Sequence, residues 1–171
     1  MDRAVGASDK LRAHEEGKLH RAFSIFIFDV KGRMLLQKRS RTKYHSGGLW
    51  SNTCCGHPRP GEETRAAARR RLMEEMNLHC ELREAFTFLY RVNFDNRLVE
   101  HELDHVLVGE CDAVPAPDPA EVEDWKWLSP PDLRNEMLER PDEFTYWLKV
   151  ALYRSEWENL NLPAQAGLPQ L

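Results

Sequence analysis

Apolar residues fall into dense runs separated by charged or turn-forming stretches. Residues 19–30 carry Phe23, Ile25 and Ile27 at one alternation and Ala22, Phe26 and Phe28 at the other. A strand this apolar on both faces has no wet side and belongs inside a sheet. Lys31-Gly32 reads as a turn and residues 34–38 as a returning strand, so the pair is expected to form a hairpin. Residues 49–55 form a short extended segment, after which Pro58, Pro60 and Gly61 oppose regular structure.

The period then changes. Ala68, Leu72 and Met76 recur every fourth residue, predicting a helix from residue 62 or 64 to about 76 with one buried stripe. Glu75 lies beside that stripe, with Arg71 one turn before it on the same side. Residues 85–92 and 98–108 read as strands around a turn at Asp95-Asn96. The Pro- and acid-rich residues 112–124 read as a surface connection, and 125–128 as a short strand. Ser129-Pro130-Pro131-Asp132 is a helix start, with Ser as N-cap, Pro in the first turn and Asp at the capping-box position. A last helix follows Pro141, its Phe144, Trp147, Leu148, Ala151 and Leu152 spaced for burial. Residues 1–18 form a polar lead-in, helical or irregular, and 161–171 a loosely held tail.

Strands and helices thus mix without strict βαβ alternation. The expectation is a single α/β (α+β) domain over residues 1–171, with its core at about 10–160 and a mixed sheet sandwiched between helices.

Composition narrows the function. Hydrophobic residues make up 42% and charged residues 30%, the balance of a soluble globular chain. The formal net charge of −4 gives no general field for nucleic acid or anionic membrane, so an anionic ligand needs a local basic pocket. No apolar run approaches the roughly 20 residues that span a bilayer, and the N-terminus has no hydrophobic signal core. Cys54, Cys55, Cys80 and Cys111 form neither a C-x-x-C pair nor a disulfide framework. A cytoplasmic protein without nucleic-acid or membrane partners is expected, as a monomer or weak homodimer.

Four features carry candidate chemistry. Alternation on the strand at 98–108 puts Glu100, Glu102 and Asp104 on one face, where they repel unless solvated or holding a cation. A solvent-facing edge strand explains them equally well, until His14, His20 and His57 are added as an N/O ligand supply for a divalent ion. Cys55-Gly56-His57-Pro58 puts a thiol in a rigid loop, where it could act as an acid or base rather than as a small buried hydrophobe. Lys38, Arg39, Arg41 and Lys43 form a cationic loop suited to a diphosphate, with Arg39 and Lys43 the favoured contacts. Finally, Gly56, Glu62, Arg70, Leu72, Glu74, Glu75 and Leu78 have the spacing of the Nudix box, a loop-helix-loop that holds divalent metal against a diphosphate. Arg71 stands where Nudix hydrolases carry a glutamate, and Asn77 replaces the box glycine. The loss of that glutamate weakens the reading as a hydrolase.

Longer strings are more specific still. Residues 19–24 (LHRAFS), 48–58 (GLWSNTCCGHP) and 99–102 (VEHE) resemble type I isopentenyl diphosphate isomerase, and the resemblance extends from about residue 10 to 147. It implies an isomerase of isopentenyl and dimethylallyl diphosphate in isoprenoid synthesis. One divalent ion, Mn²⁺, Mg²⁺ or Zn²⁺, would be bound by His14, His20, His57, Glu100 and Glu102. Glu75 would hold Mg²⁺ brought in with the diphosphate, which Lys10, Arg39, Lys43 and Arg71 would contact. Cys55 and Glu102 would be the acid–base pair, Tyr90 would assist Glu102, and Trp147 would lie over a carbocation. A diphosphate hydrolase and a non-catalytic metal- or diphosphate-binding protein are the alternatives.

Overall fold

The computed structural model describes residues 2–94 and 96–160, so Asp95 of the expected turn and the tail at 161–171 lie outside it. In chain order the elements are α1 (Lys10–Glu15), β1 (His20–Phe28), β2 (Met34–Arg39), β3 (Trp50–Ser51), β4 (Cys54–Gly56), α2 (Thr64–Met76), β5 (Arg83–Asn93), β6 (Val99–Glu110), β7 (Val122–Leu128), α3 (Pro130–Glu139) and α4 (Tyr146–Leu152). Single 3₁₀ turns flank α4 at Pro141–Glu143 and Ser155–Asn159.

One mixed sheet runs β3-β2-β1-β6-β5, with β4 also paired to β1 and β7 to β2. Strand β1 alternates between two cores. Phe23, Ile25 and Ile27 meet Ala68, Leu72 and Met76 of α2, while Phe26 and Phe28 meet Leu148 and Leu152 of α4 and Leu133 of α3. Each such fully buried side chain contributes about 1.5–3 kcal/mol of transfer free energy. The apolar double face read in residues 19–30 thus reflects a strand covered by helices on both sides.

The expected hairpin is only partly formed. Strands β1 and β2 register at Phe28↔Met34 and then diverge, because β1 takes β4 as its antiparallel partner. The Thr53 hydroxyl stands in the fork, accepting from the Ile27 amide (3.0 Å) and donating to the Leu35 carbonyl (2.7 Å). Asn52 Nδ2 donates to the carbonyls of Ile25 (3.1 Å) and Cys54 (3.0 Å). These side chains satisfy backbone groups that an ordinary ladder would have paired.

Two other boundaries differ. Strand β7 begins at Val122, inside the stretch read as a connection, because residues 122–128 pair with β2. The lead-in is helical only over Lys10–Glu15, where the Asp9 side chain caps the Arg12 amide. Ser129 caps α3 as expected by accepting from the Asp132 amide. Asn77 ends α2 at φ 52°, a left-handed position that asparagine tolerates in place of the box glycine.

Candidate active site and metal centre

Glu100, Glu102 and Asp104 face the α4 side of the sheet from β6, and none is more than 5% exposed. The edge-strand alternative fails because β6 lies between β1, its parallel partner, and β5, its antiparallel one. Buried carboxylates in such a row need partners. They find three kinds.

The first is a set of imidazoles. His20 pairs directly across from Glu102 in the parallel register, and its Nε2 lies 3.3 Å from Glu102 Oε1. His57 Nε2 lies 3.0 Å and His14 Nε2 3.8 Å from the same oxygen. His14 Nδ1 meets the Lys10 carbonyl (2.7 Å) and His20 Nδ1 the Lys18 carbonyl (2.8 Å). A carbonyl only accepts, so each Nδ1 carries the proton and each Nε2 keeps its lone pair. Both Nε2 atoms are buried without a hydrogen-bond partner. Ligand atoms of His14, His20, His57 and Glu102 all lie within 4.8 Å of one another. Burial pushes the His57 imidazole down to about 4 and lowers that of His14, so both stay in the neutral, metal-binding form. Orphaned lone pairs on rings pinned through the other nitrogen fit a divalent ion.

The second partner is Tyr90. Its hydroxyl lies 2.6 Å from Glu102 Oε2 and 3.0 Å from Glu100 Oε2. Burial, with Glu102 alongside, pushes Glu100 up to about 8. Burial also opposes the charge on Glu102, but the His20 and His57 imidazoles beside it outweigh burial and hold this carboxyl well below its usual range. The third partner is Ser24, which donates to Asp104 at 2.7 Å.

Cys54 and Cys55, adjacent on β4, face opposite ways. Cys54 joins the core under α2, whereas Cys55 packs against the core that contains Tyr90 and Trp147. The Cys55 thiol donates to Asn52 Oδ1 at 3.1 Å, and burial pushes it up to about 12. Gly56 cannot be larger, since a β-carbon there would come within 2.7 Å of Phe23 and 3.2 Å of Arg71. Trp147 donates from Nε1 to Ser51 Oγ (2.9 Å), which fixes its ring, and the Arg39 guanidinium lies 5.1 Å from the ring centre.

Two of the four candidate diphosphate cations, Arg71 and Lys43, are already paired with carboxylates. Arg71 binds Glu75, Glu74 (2.7 Å) and Glu121 (3.2 Å), and Lys43 binds Glu121. Buried Glu75 also accepts from Gln37 at 3.0 Å. Lys10 is exposed on α1, its ammonium 5.3 Å from the Tyr44 ring centre. Within the Nudix-box helix, Arg70 grips Glu62 through Nε (2.8 Å) and Nη2 (2.9 Å), locking loop to helix. Sequence reading missed Gln37, Glu121, Asn52 and His45. His45 was visible as a histidine in the cationic loop, but only the fold brings its Nε2 to 3.6 Å from Glu100.

The sequence pattern of the NUDIX domain matches residues 18–148. The isopentenyl-diphosphate Delta-isomerase of Burkholderia multivorans is 54% identical over 170 residues, covering 99% of this chain and 90% of that protein. Isopentenyl-diphosphate Delta-isomerase 2 of Aromatoleum aromaticum is 52% identical over 153 residues, covering 90% of this chain and 81% of its own length. Among solved structures, the MutT protein of Methanosarcina mazei superposes with a TM-score of 0.68 at 17% identity, covering 82% of this chain and 95% of that one. The MutT NUDIX hydrolase of Burkholderia pseudomallei gives 0.65 at 21% identity, covering 81% and 98%. At these identities the structural matches show the fold alone, while the sequence relatives show more: the chain belongs to the NUDIX-domain family and, within it, to the isopentenyl-diphosphate Delta-isomerases.

Proposed function

We propose that this protein interconverts isopentenyl and dimethylallyl diphosphate by adding a proton at the terminal alkene carbon and removing one from the allylic methylene. The observation that carries the reading is the position of Glu102. One of its oxygens lies among the His14, His20 and His57 imidazoles, and the other against the Tyr90 hydroxyl.

The substrate diphosphate would be held by Lys10, Arg39, Lys43 and Arg71, with Arg71 and Lys43 exchanging their carboxylate partners for phosphate oxygens. Glu75 would take a Mg²⁺ ion that accompanies the diphosphate once Arg71 releases it. Cys55 and Glu102 would exchange protons with opposite faces of the hydrocarbon. The reaction is reversible, so the group that gives a proton in one direction takes it in the other. Tyr90 holds the Glu102 carboxyl in place. Trp147, fixed through Ser51, offers its π-face to the tertiary cation, which it already offers to Arg39. His14, His20, His57, Glu100 and Glu102 would hold a divalent ion, whose charge would orient the Glu102 carboxyl and tune its acidity.

Proton NMR of the protein with isopentenyl diphosphate and Mg²⁺ in D₂O tests this. Dimethylallyl diphosphate carrying deuterium is the expected product. Release of phosphate or pyrophosphate would point to a hydrolase instead, and an unchanged spectrum from folded, metal-loaded protein to a binding role.

A further inference from the structure

We propose that His45 is a further protein ligand of the ion in the His/Glu centre, tying the loop that carries the diphosphate-binding cations to the metal. The inference rests on the reading that this centre holds a divalent ion.

His45 lies between β2 and β3, in the same loop as Lys43. Its side chain is 7% exposed, and its Nε2 lies 3.6 Å from Glu100 Oε1. Ligand atoms of His14, His45 and Glu100 all lie within 4.8 Å of one another. Donors about 2.0–2.1 Å from one ion are at most about 4.2 Å apart across it, so a small inward movement completes the set. His14 connects this group to the other one. Its Nδ1 is committed to the Lys10 carbonyl, so only Nε2 is free, and that atom belongs also to the cluster with His20, His57 and Glu102. One lone pair serves one ion. The two groups are therefore halves of a single centre, joined a second time by the Tyr90 hydroxyl between Glu100 and Glu102.

The His45 ring is held as a ligand needs to be. It stacks on Phe94 at 5.5 Å between centroids and meets Trp147 edge-on at 5.8 Å. Its Nδ1 lies 3.4 Å from Ser46 Oγ, which leaves Nε2 for the ion. Arg39 donates to the His45 carbonyl at 3.3 Å, so a diphosphate-binding cation is linked to the same residue. With His45 included, four imidazoles and two carboxylates surround the site. Such a nitrogen-rich set suits Zn²⁺ or another first-row transition ion better than Mg²⁺.

Zn²⁺ affinity of the wild type, His45→Ala and His57→Ala, measured by competition with a chromophoric chelator, tests the proposal. Both variants should bind at least about tenfold more weakly. If only His57→Ala weakens, His45 is not a ligand and the ion reading stands. If neither weakens, or the wild type does not bind Zn²⁺, both readings fail. Nitrogen-15 NMR of histidine-labelled wild type gives an answer independent of variant folding. Zn²⁺ should shift the ligating nitrogens of His14, His20, His45 and His57, and an unshifted His45 would overturn the inference.

Discussion

Replacing Tyr90 with Phe removes one oxygen from the centre of the site and little else. The ring keeps its burial and its stacking on Phe88, at 5.6 Å between centroids, so the thermal midpoint should barely move. What is lost is the hydroxyl 2.6 Å from Glu102 Oε2 and 3.0 Å from Glu100 Oε2. A hydrogen bond to a charged partner has a net value of about 1.5–3 kcal/mol. If that bond helps set the proton-transferring carboxyl, kcat/KM should fall roughly 10- to 150-fold, at 1.36 kcal/mol per factor of ten. Losing a donor to the carboxylate also raises the Glu102 pKa, so the acid limb of the pH–rate profile should move to higher pH. Initial rates by NMR across pH, with metal content measured on the same samples, decide the matter. A kcat/KM within about twofold of wild type and an unmoved acid limb, at equal metal content, would refute this role for Tyr90.

Cys55→Ala should abolish turnover while leaving the circular dichroism and melting curve nearly unchanged; a near-normal rate would remove the thiol from the mechanism. Chelation with EDTA should lower the thermal midpoint, because an ion at 100 times its Kd stabilises by about 2.7 kcal/mol. At about 2–4 °C per kcal/mol for a domain of this size, the shift is roughly 5–10 °C, and no shift in protein shown to have lost its metal would contradict the ion site. Asp104 supplies a pH test. Burial and the neighbouring Glu102 raise it from 3.8 to about 8, so its contribution to stability is complete below about pH 4 and is lost as pH rises through 8. In chelated protein, denaturant midpoints of Asp104→Asn should fall less steeply between pH 4 and 8 than those of wild type; parallel curves would rule that out.

Period and spacing made most of the framework legible. The double apolar face of residues 19–30 announced a strand covered on both sides, and the four-residue repeat of Ala68, Leu72 and Met76 announced α2. Local alternation also put Glu100, Glu102 and Asp104 on one face, but it could not distinguish water from imidazoles beyond that face, which depends on the parallel pairing of β6 with β1. The fork at Thr53 escaped because its hydroxyl serves β1 and β2 at once, and the sequence around it resembles any short extended segment. Residues such as His45 and Glu121 lie in loops, where no period indicates direction. Their roles emerge only when the Lys43 and Arg71 side chains are seen to converge on Glu121, and His45 to approach Glu100.

The direct register of His20 with Glu102 has a consequence for how the chain reaches its folded state. These two residues are far apart in sequence and are brought together only when β1 and β6 align in parallel, a pairing with a large loop-closure cost. No local fragment can assemble the full ligand set beforehand. An ion should therefore bind after the rate-limiting step, leaving the folding limb of a chevron plot where it is and slowing only unfolding. The centre would then act as a latch on a finished topology, lengthening the lifetime of the native molecule without hastening its arrival.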